Sequence, residues 1–386
     1  MENEKNKSVE EDVVSYGFGG DIDINLPDIP MPIVQEKKEI KKDECDVAFK
    51  FAFIGAGQGG SRIAEAFYGL GYRKLSAINT AQQDLNTIKL DAKLCIGDGG
   101  AGKDPSKAER LFNDRKEDVL DFIRDSFGDE VDRIFVCAGA GGGSGAGMCE
   151  PLIHSAREAQ KLLNSKTDKV GCILALPKHS EGQKVNENAY DTLNRVLKLV
   201  EQGIVSPLII LDNEKVHQLY PGLAVAPFWK TANSSMAGLF HLFNLTASKD
   251  SSYSSFDSND YKQLLDSGLI VFGASPVPNW ESASDISKTV RDNLRKNILS
   301  GGVDLSTGNS AGVVMIGGKE VLDNVPQENL DRAFDQFTRI LGEHSIVHRG
   351  IYSGDKPNSL TVYTLIGGLG APIEKLEQLK ELGGVR

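Results

Sequence analysis

From residue 48 onward the chain alternates between short apolar runs and longer stretches whose apolar residues recur every three or four positions. AFKFAFIGAGQGG reads as an apolar strand running into glycines, and SRIAEAFYGLGY takes up helical spacing directly after it. KLSAIN is a second strand ending at Asn79, and Lys93 to Ile96 a third, followed by the loop GDGGAGKDP. The spacing then predicts one amphipathic helix from Ser106 to Phe127, with Leu111, Val119, Phe122 and Ile123 inward. DRIFVCAGA, VGCILALP and SPLIILDN are further strands, separated by the helical stretches GMCEPLIHSAREAQKLL and NENAYDTLNRVLKLVEQ. Strands that are apolar throughout and alternate with helices predict an α/β class with a parallel sheet covered on both faces.

A second pattern starts near Pro227. Phe228, Trp229, Ala232, Met236, Leu239, Phe240 and Phe243 recur at helical spacing and predict one long helix to about Thr246. After the polar loop SKDSSYSSFDSND, strands and helices alternate again through GLIVFGAS, a helix around 286–298, GVVMIGG, a helix around 329–341, SIVHRGIY and SLTVYTLIGG. That is a smaller α/β unit, and IEKLEQLKEL closes the chain as a short helix. Residues 1–47 differ from everything else, being acidic and poor in large apolar residues, and read as a disordered tail. Its exception is 24–34, INLPDIPMPIV, which reads as an extended arm on the folded body or as a peptide that docks an unknown partner.

Composition narrows the class. The chain has 386 residues, with 43 Lys+Arg against 54 Asp+Glu for a net charge of −11. An acidic balance without a basic run argues against direct nucleic-acid binding. No apolar stretch reaches the roughly 18 residues a membrane span needs. The polar start MENEKNKSVEEDVV does not look like a secretory leader. Five cysteines without CxxC spacing read as reduced thiols, so a cytoplasmic location is expected. The six histidines are scattered without metal-ligand spacing, and no metal site is expected from side chains.

Glycine, at 41 residues, is where the chemistry enters. Gly55, Gly57 and Gly60 spell GxGxxG between a strand and a helix, with Gln58 and Gly59 inside the motif. A dinucleotide site of that form needs an acid about 20 residues on to hold a ribose hydroxyl, and Asn79 stands there instead. The second loop is richer. Gly139, Gly141, Gly142, Gly143, Gly145 and Gly147 place six glycines in nine residues, with Ser144 among them, again between a strand and a helix. Successive N–H groups turned to one centre make an anion nest at a helix N-terminus. A tight turn alone needs one or two glycines. No loop carries the lysine of GxxxxGK[ST], which excludes that nucleotide-binding loop. A third loop contains Gly100, Ala101 and Gly102. Three such loops at the C-terminal ends of parallel strands suit a triphosphate.

These residues resemble the tubulin/FtsZ family. GAGGGSGAG is similar to its GGGTGTG or GGGTGSG signature, with Ser144 in the threonine place. GAGQGG is similar to its first phosphate loop, INTAQQDL to N-T-D-x-Q-x-L, GAGKDP to G-A-G-x-N-P, and ILDNEKV to I-P-N-D-K-L. PKHSEGQKVNENA is similar to the ribose-side loop, and the order of motifs is kept from about Phe51 to Gly370. The resemblance implies a Rossmann-like GTP-binding domain at 48–227, a central core helix at 228–247, a smaller activation domain at 248–370 and a terminal helix at 371–386. It implies GTP or GDP with Mg²⁺, held at the phosphates by Gly57, Gln58 and 141–145. Glu181 would meet the ribose, Asn213 and Asn233 would read guanine's edge, and Trp229 would stack on its face. As side chains alone, Asn offers a donor and an acceptor to a base that presents both. Trp229 reads equally well as core.

The resemblance also assigns Asp257 and Asp260. On residue physics alone, SND before an apolar-periodic run is an ordinary capped helix start. In the family, N-x-D-x-x-D enters the next subunit's nucleotide site and polarises a water for attack on the γ-phosphate. That arrangement implies a heterologous contact, which builds an open filament of the protein with itself. Two departures concern hydrolysis: Val185 stands near the family's arginine, beside Lys184, and Ser255 replaces the asparagine of N-x-D-x-x-D. A nucleotide-bound scaffold with little hydrolysis, and a dinucleotide-dependent oxidoreductase, remain as alternatives.

Overall fold

The computed structural model describes residues 46–219, 224–295, 301–341 and 344–386. The segment 24–34, and nearly all of the acidic stretch before residue 48, lie outside the described residues. In chain order the strands are β1 (Phe51–Ala56), β2 (Leu75–Asn79), β3 (Ala92–Cys95), β4 (Arg133–Gly139), β5 (Val170–Leu176) and β6 (Val205–Asp212). They continue as β7 (Leu269–Pro276), β8 (Ser310–Gly317), β9 (Ile346–Ser353) and β10 (Leu360–Leu369). The helices before the long one are α1 (Gly57–Ala66), α2 (Gln82–Asn86), α3 (Pro105–Asp114), α4 (Lys116–Phe127), α5 (Gly143–Leu162), α6 (Gln183–Glu201) and α7 (Asn213–Leu219). Then come α8 (Val225–Thr246), α9 (Ser258–Leu265), α10 (Ala283–Arg295), α11 (Lys319–Asn324), α12 (Gln327–Leu341) and α13 (Ile373–Gly383).

All ten strands join one sheet in the order β3-β2-β1-β4-β5-β6-β7-β10-β8-β9. The strands from β3 to β7 run parallel, β10 runs antiparallel to both β7 and β8, and β9 returns parallel to β8. The seam is narrow: β6 meets β7 through Leu208 opposite Leu269 and Ile209 opposite Ile270. Central strands are buried on both faces, which is why they read as unbroken apolar runs.

Strand alternation sends Ala52, Ile54 and Ala56 to one core, and Phe51 and Phe53 to the other. The first core lies under α3 to α6, α10, α12 and α13, and the second under α1, α8 and α9. Phe240 of α8 holds the second core together. Its ring lies 5.2 Å from Phe51, 5.1 Å from Phe135, 6.3 Å from Tyr261 and 6.3 Å from Phe272. One helix therefore packs on strands from both sides of the seam. Arg133, buried on β4, spans the same join: it donates to Ser206 O at 2.7 Å, Leu265 O at 2.8 Å and Asp266 Oδ1 at 2.5 Å.

One expectation is corrected. The helix predicted from Ser106 to Phe127 is two helices, broken at Arg115, whose φ of −119° and ψ of 20° are not helical. Phe112, Val119, Ile123 and Phe127 are all buried, so the apolar stripe runs across the break and conceals it in the sequence.

Candidate functional site

At the C-terminal ends of β1, β4, β5 and β6 a cavity of about 500 Å³ opens. Its floor is the second glycine loop: Gly139, Gly141, Gly142, Gly143, Ser144 and Gly145 all line it. The loop is glycine because backbone passes against backbone. A Cβ on Gly145 would lie 2.6 Å from Gly139 O and 3.2 Å from Ala56 O. One on Gly143 would meet Lys103 N and Asp104 N at 3.0 and 2.9 Å. Gly142 has nothing within 4 Å of such an atom, so its backbone faces open space. With α5 beginning at Gly143, the floor is a helix N-terminus with uncovered N–H groups, the physical requirement of a phosphate site.

The first loop supplies one side. Gln58 and Gly59 line the cavity, while Gly55 and Gly57 stand behind it. Gly57 has φ +67°, and a Cβ there would lie 2.7 Å from Gly145 N, so the two loops lock together through it. Gly100, Ala101 and Gly102 are outside the lining, and their loop reaches it through Lys103 instead. Asn79 is also outside. It is fully buried, its Oδ1 accepts from Thr80 N at 2.7 Å, and its Nδ2 donates to Asp84 Oδ2 at 3.1 Å. Asp84 is the residue that faces the cavity, and Thr80 reaches Ser144 by a hydroxyl pair at 2.7 Å.

The far end carries Glu181, Asn213, Trp229 and Asn233. Glu181 is held by its own turn, where Oε1 accepts from Lys178 N at 2.8 Å and Gly182 takes φ +93°. Trp229 is partly buried beside Phe228, with ring centroids 5.1 Å apart, and is at once core edge and cavity wall. Asn213 is 4% exposed, and its Oδ1 has no hydrogen-bond partner among the described residues. A buried, unpaired amide oxygen at a cavity wall is an acceptor waiting for a donor. Behind it, Asp212 Oδ1 accepts from Glu214 N at 3.1 Å and from Lys375 Nζ of α13 at 2.9 Å. Both of those side chains are nearly fully buried, at 4% and 3% exposure.

Sequence reasoning missed Arg62, Lys103 and Asp84 as wall residues. Arg62 follows the first loop by one helical turn, and Lys103 sits inside GAGKDP, so proximity to the glycine motifs was the available signal. Val185 also lines the wall and packs on Gly141, whose added Cβ would lie 2.4 Å from its methyl.

Asp257 and Asp260 do not line this cavity. They begin α9 as a reciprocal cap: Asp257 Oδ1 accepts from Asn259 N at 2.7 Å and Asp260 N at 3.0 Å, and Asp260 Oδ2 accepts from Asp257 N at 3.2 Å. Ser255 Oγ accepts from Ser251 N at 3.0 Å and closes the preceding loop. Among the described residues, no cluster of three or more His, Cys, Asp or Glu could hold a metal, and no helix is long and apolar enough to cross a membrane.

Comparison with known proteins shows what the chain is similar to. Residues 50–221 match the family model described as Tubulin/FtsZ family, GTPase domain. The cell division protein FtsZ 1 of Pyrococcus woesei is 24% identical over 306 residues, 77% of this chain and 77% of that protein. The tubulin-like protein TubZ of Bacillus cereus is 25% identical over 246 residues, 58% of this chain and 54% of its own. A GTPγS-form protofilament of Bacillus thuringiensis serovar israelensis TubZ shares the fold, with a TM-score of 0.75 and 20% identity over 88% of this chain and 93% of that one.

Proposed function

Because residues 50–221 match the Tubulin/FtsZ family GTPase-domain model, we propose that the protein binds GTP, assembles head-to-tail with itself and hydrolyses GTP at the contact between copies. The observation that carries the nucleotide reading is the cavity itself: a glycine nest at one end and the unpaired Asn213 Oδ1 at the other. In this reading the phosphates lie on the N–H groups of 141–145, with the Arg62 and Lys103 side chains adding positive charge. Asn213 Oδ1 accepts from the N–H edge of guanine, Asn233 is the second polar group beside the base, Trp229 stacks on it, and Glu181 meets the ribose. Asp84 and Ser144 are the oxygen donors at the phosphate end and suit a hard cation such as Mg²⁺. When bound, Mg²⁺ supplies charge neutralisation for the departing phosphate.

A copy's own Asp257 and Asp260 lie outside its own cavity, so in this reading they act on a neighbour. Residues 48–227 form the nucleotide-binding unit, α8 the strut, and 248–370 the unit that presents the two carboxylates. The carboxylates orient and polarise the attacking water, which is most of what phosphoryl transfer asks of a protein. Such a contact is heterologous and builds an open filament. The protofilament form of the TubZ relative supports this reading. A second reading, a nucleotide-bound filament that hydrolyses little, is favoured by the engagement of both carboxylates in a helix cap.

Right-angle light scattering with phosphate release in the same tube tests both. Scattering that rises with GTP and Mg²⁺, not with GDP or ATP, and decays as phosphate appears is the expected result. In Asp257→Asn, filaments should persist while phosphate release falls at least about 100-fold. A persistent rise without phosphate in the native protein would select the second reading. No rise with any nucleotide would sink both.

A further inference from the structure

Asp260 has a second partner that its helix cap does not require. His348, on β9, places Nδ1 2.7 Å from Asp260 Oδ1, with the two side chains 11% and 23% exposed. The approach is built by missing side chains. Gly312 stands opposite His348 on β8, and a Cβ there would lie 2.8 Å from Leu264 and 2.9 Å from the Phe256 ring. A Cβ on Gly350 would meet Phe256 Cβ at 2.9 Å. Two glycines thus let Phe256 and α9 settle onto the β8–β9 edge, and His348 is the ring that reaches the first turn of α9.

The division of labour on the carboxylate is explicit. Oδ2 accepts from Asp257 N at 3.2 Å, and Oδ1 faces the imidazole. An ionised carboxylate only accepts, so Nδ1 carries the proton of that contact. His348 Nε2 is buried and has no partner among the described residues.

Resting on the reading above, in which Asp260 polarises the attacking water, we propose that His348 is its positioning residue. With Nδ1 2.7 Å from Oδ1, the imidazole limits rotation of the carboxylate, which would otherwise turn about the Cβ–Cγ bond. Asp257 on α9 and Asp250 in the preceding loop, like Asp260, act electrostatically on the nearby Tyr352 hydroxyl. Arg349, next on β9, turns to the opposite face, 4.8 Å over the Phe334 ring and 3.7 Å from Asp331. From β8, Gly312 brings no charge.

The test measures phosphate release per mass of filament against GTP concentration, in native protein, His348→Ala, His348→Asn and Asp260→Asn. His348→Ala is expected to lower kcat about tenfold with KM for GTP and filament mass unchanged, the loss of one positioning contact. His348→Asn keeps an N–H at the Nδ1 position and should recover most of that loss. Asp260→Asn inactive with His348→Ala unaffected would overturn this inference alone. Asp260→Asn fully active would overturn the reading beneath it as well.

Discussion

The phosphate end of the cavity and the Asp260 corner are built on opposite terms. The first is backbone: its shape comes from glycines that allow Gly145 to lie against Gly139 and Ala56, and its donors are main-chain N–H groups at the start of α5. The second is side chain: two carboxylates that cap each other's backbone N–H groups, one of them also against a histidine, on a helix pressed onto a sheet edge. A backbone site needs glycine wherever chain passes against chain, as at Gly143 and Gly145, and there it tolerates no added atom. A side-chain site needs a partner that can stand anywhere in the chain. The far end of the cavity mixes both, since Asn213 is an orphaned side chain with a buried ion pair on the residue before it.

The largest expected effect tests that mixed end. Lys375→Met removes one member of the buried Asp212 pair, and breaking such a pair costs roughly 3–5 kcal/mol. Urea unfolding should show the loss, with weaker GTP binding through Asn213. Unchanged stability would mean that α13 is not what holds this corner.

Next is the helix that both regions share. His241 on α8 is 5% exposed, and burial, helped by Lys249, lowers its pKa from 6.5 to about 4. Between those values the unfolded chain binds the proton and the folded one does not, so stability rises with pH. The contribution is complete above 6.5, is lost as pH falls toward 4, and amounts to about 3 kcal/mol. The urea midpoint of the native protein should drop across that window, and His241→Leu should flatten the drop. Parallel curves for the two proteins would remove His241 from the account.

The smallest of the three effects isolates the backbone end. Gly145→Ala pushes a methyl to 2.6 Å from Gly139 O, so the two loops must part. GTP affinity should fall about 100-fold, near 2.7 kcal/mol, with Asp257 and Asp260 untouched. Isothermal titration gives the number, and an affinity within a factor of three of native would show that the nest is more yielding than its contacts imply.

The same contrast explains what the sequence could reveal. Buried parallel strands, the two glycine loops and the long helix α8 were legible because each demands its residue types in a local window. The six-glycine loop can hardly be anything else. Arg62, Lys103 and Asp84 were not assigned to the cavity, because whether they face it depends on how α1, α2 and the loop before α3 dock. His348 and Lys375 were invisible for a stronger reason: their partners are distant in the chain, and a histidine on an edge strand or a lysine on a polar helix looks ordinary. The break at Arg115 escaped because burial periodicity survives it.

Lys375 and its partner Asp212 are separated by 163 positions. Every glycine loop has been translated long before α13 exists, yet the corner behind Asn213 stays without its buried cation until α13 arrives. In the proposed reading, a chain that has made β6 and Asp257 but not yet α13 would hold its nucleotide less well than one in which α13 has docked.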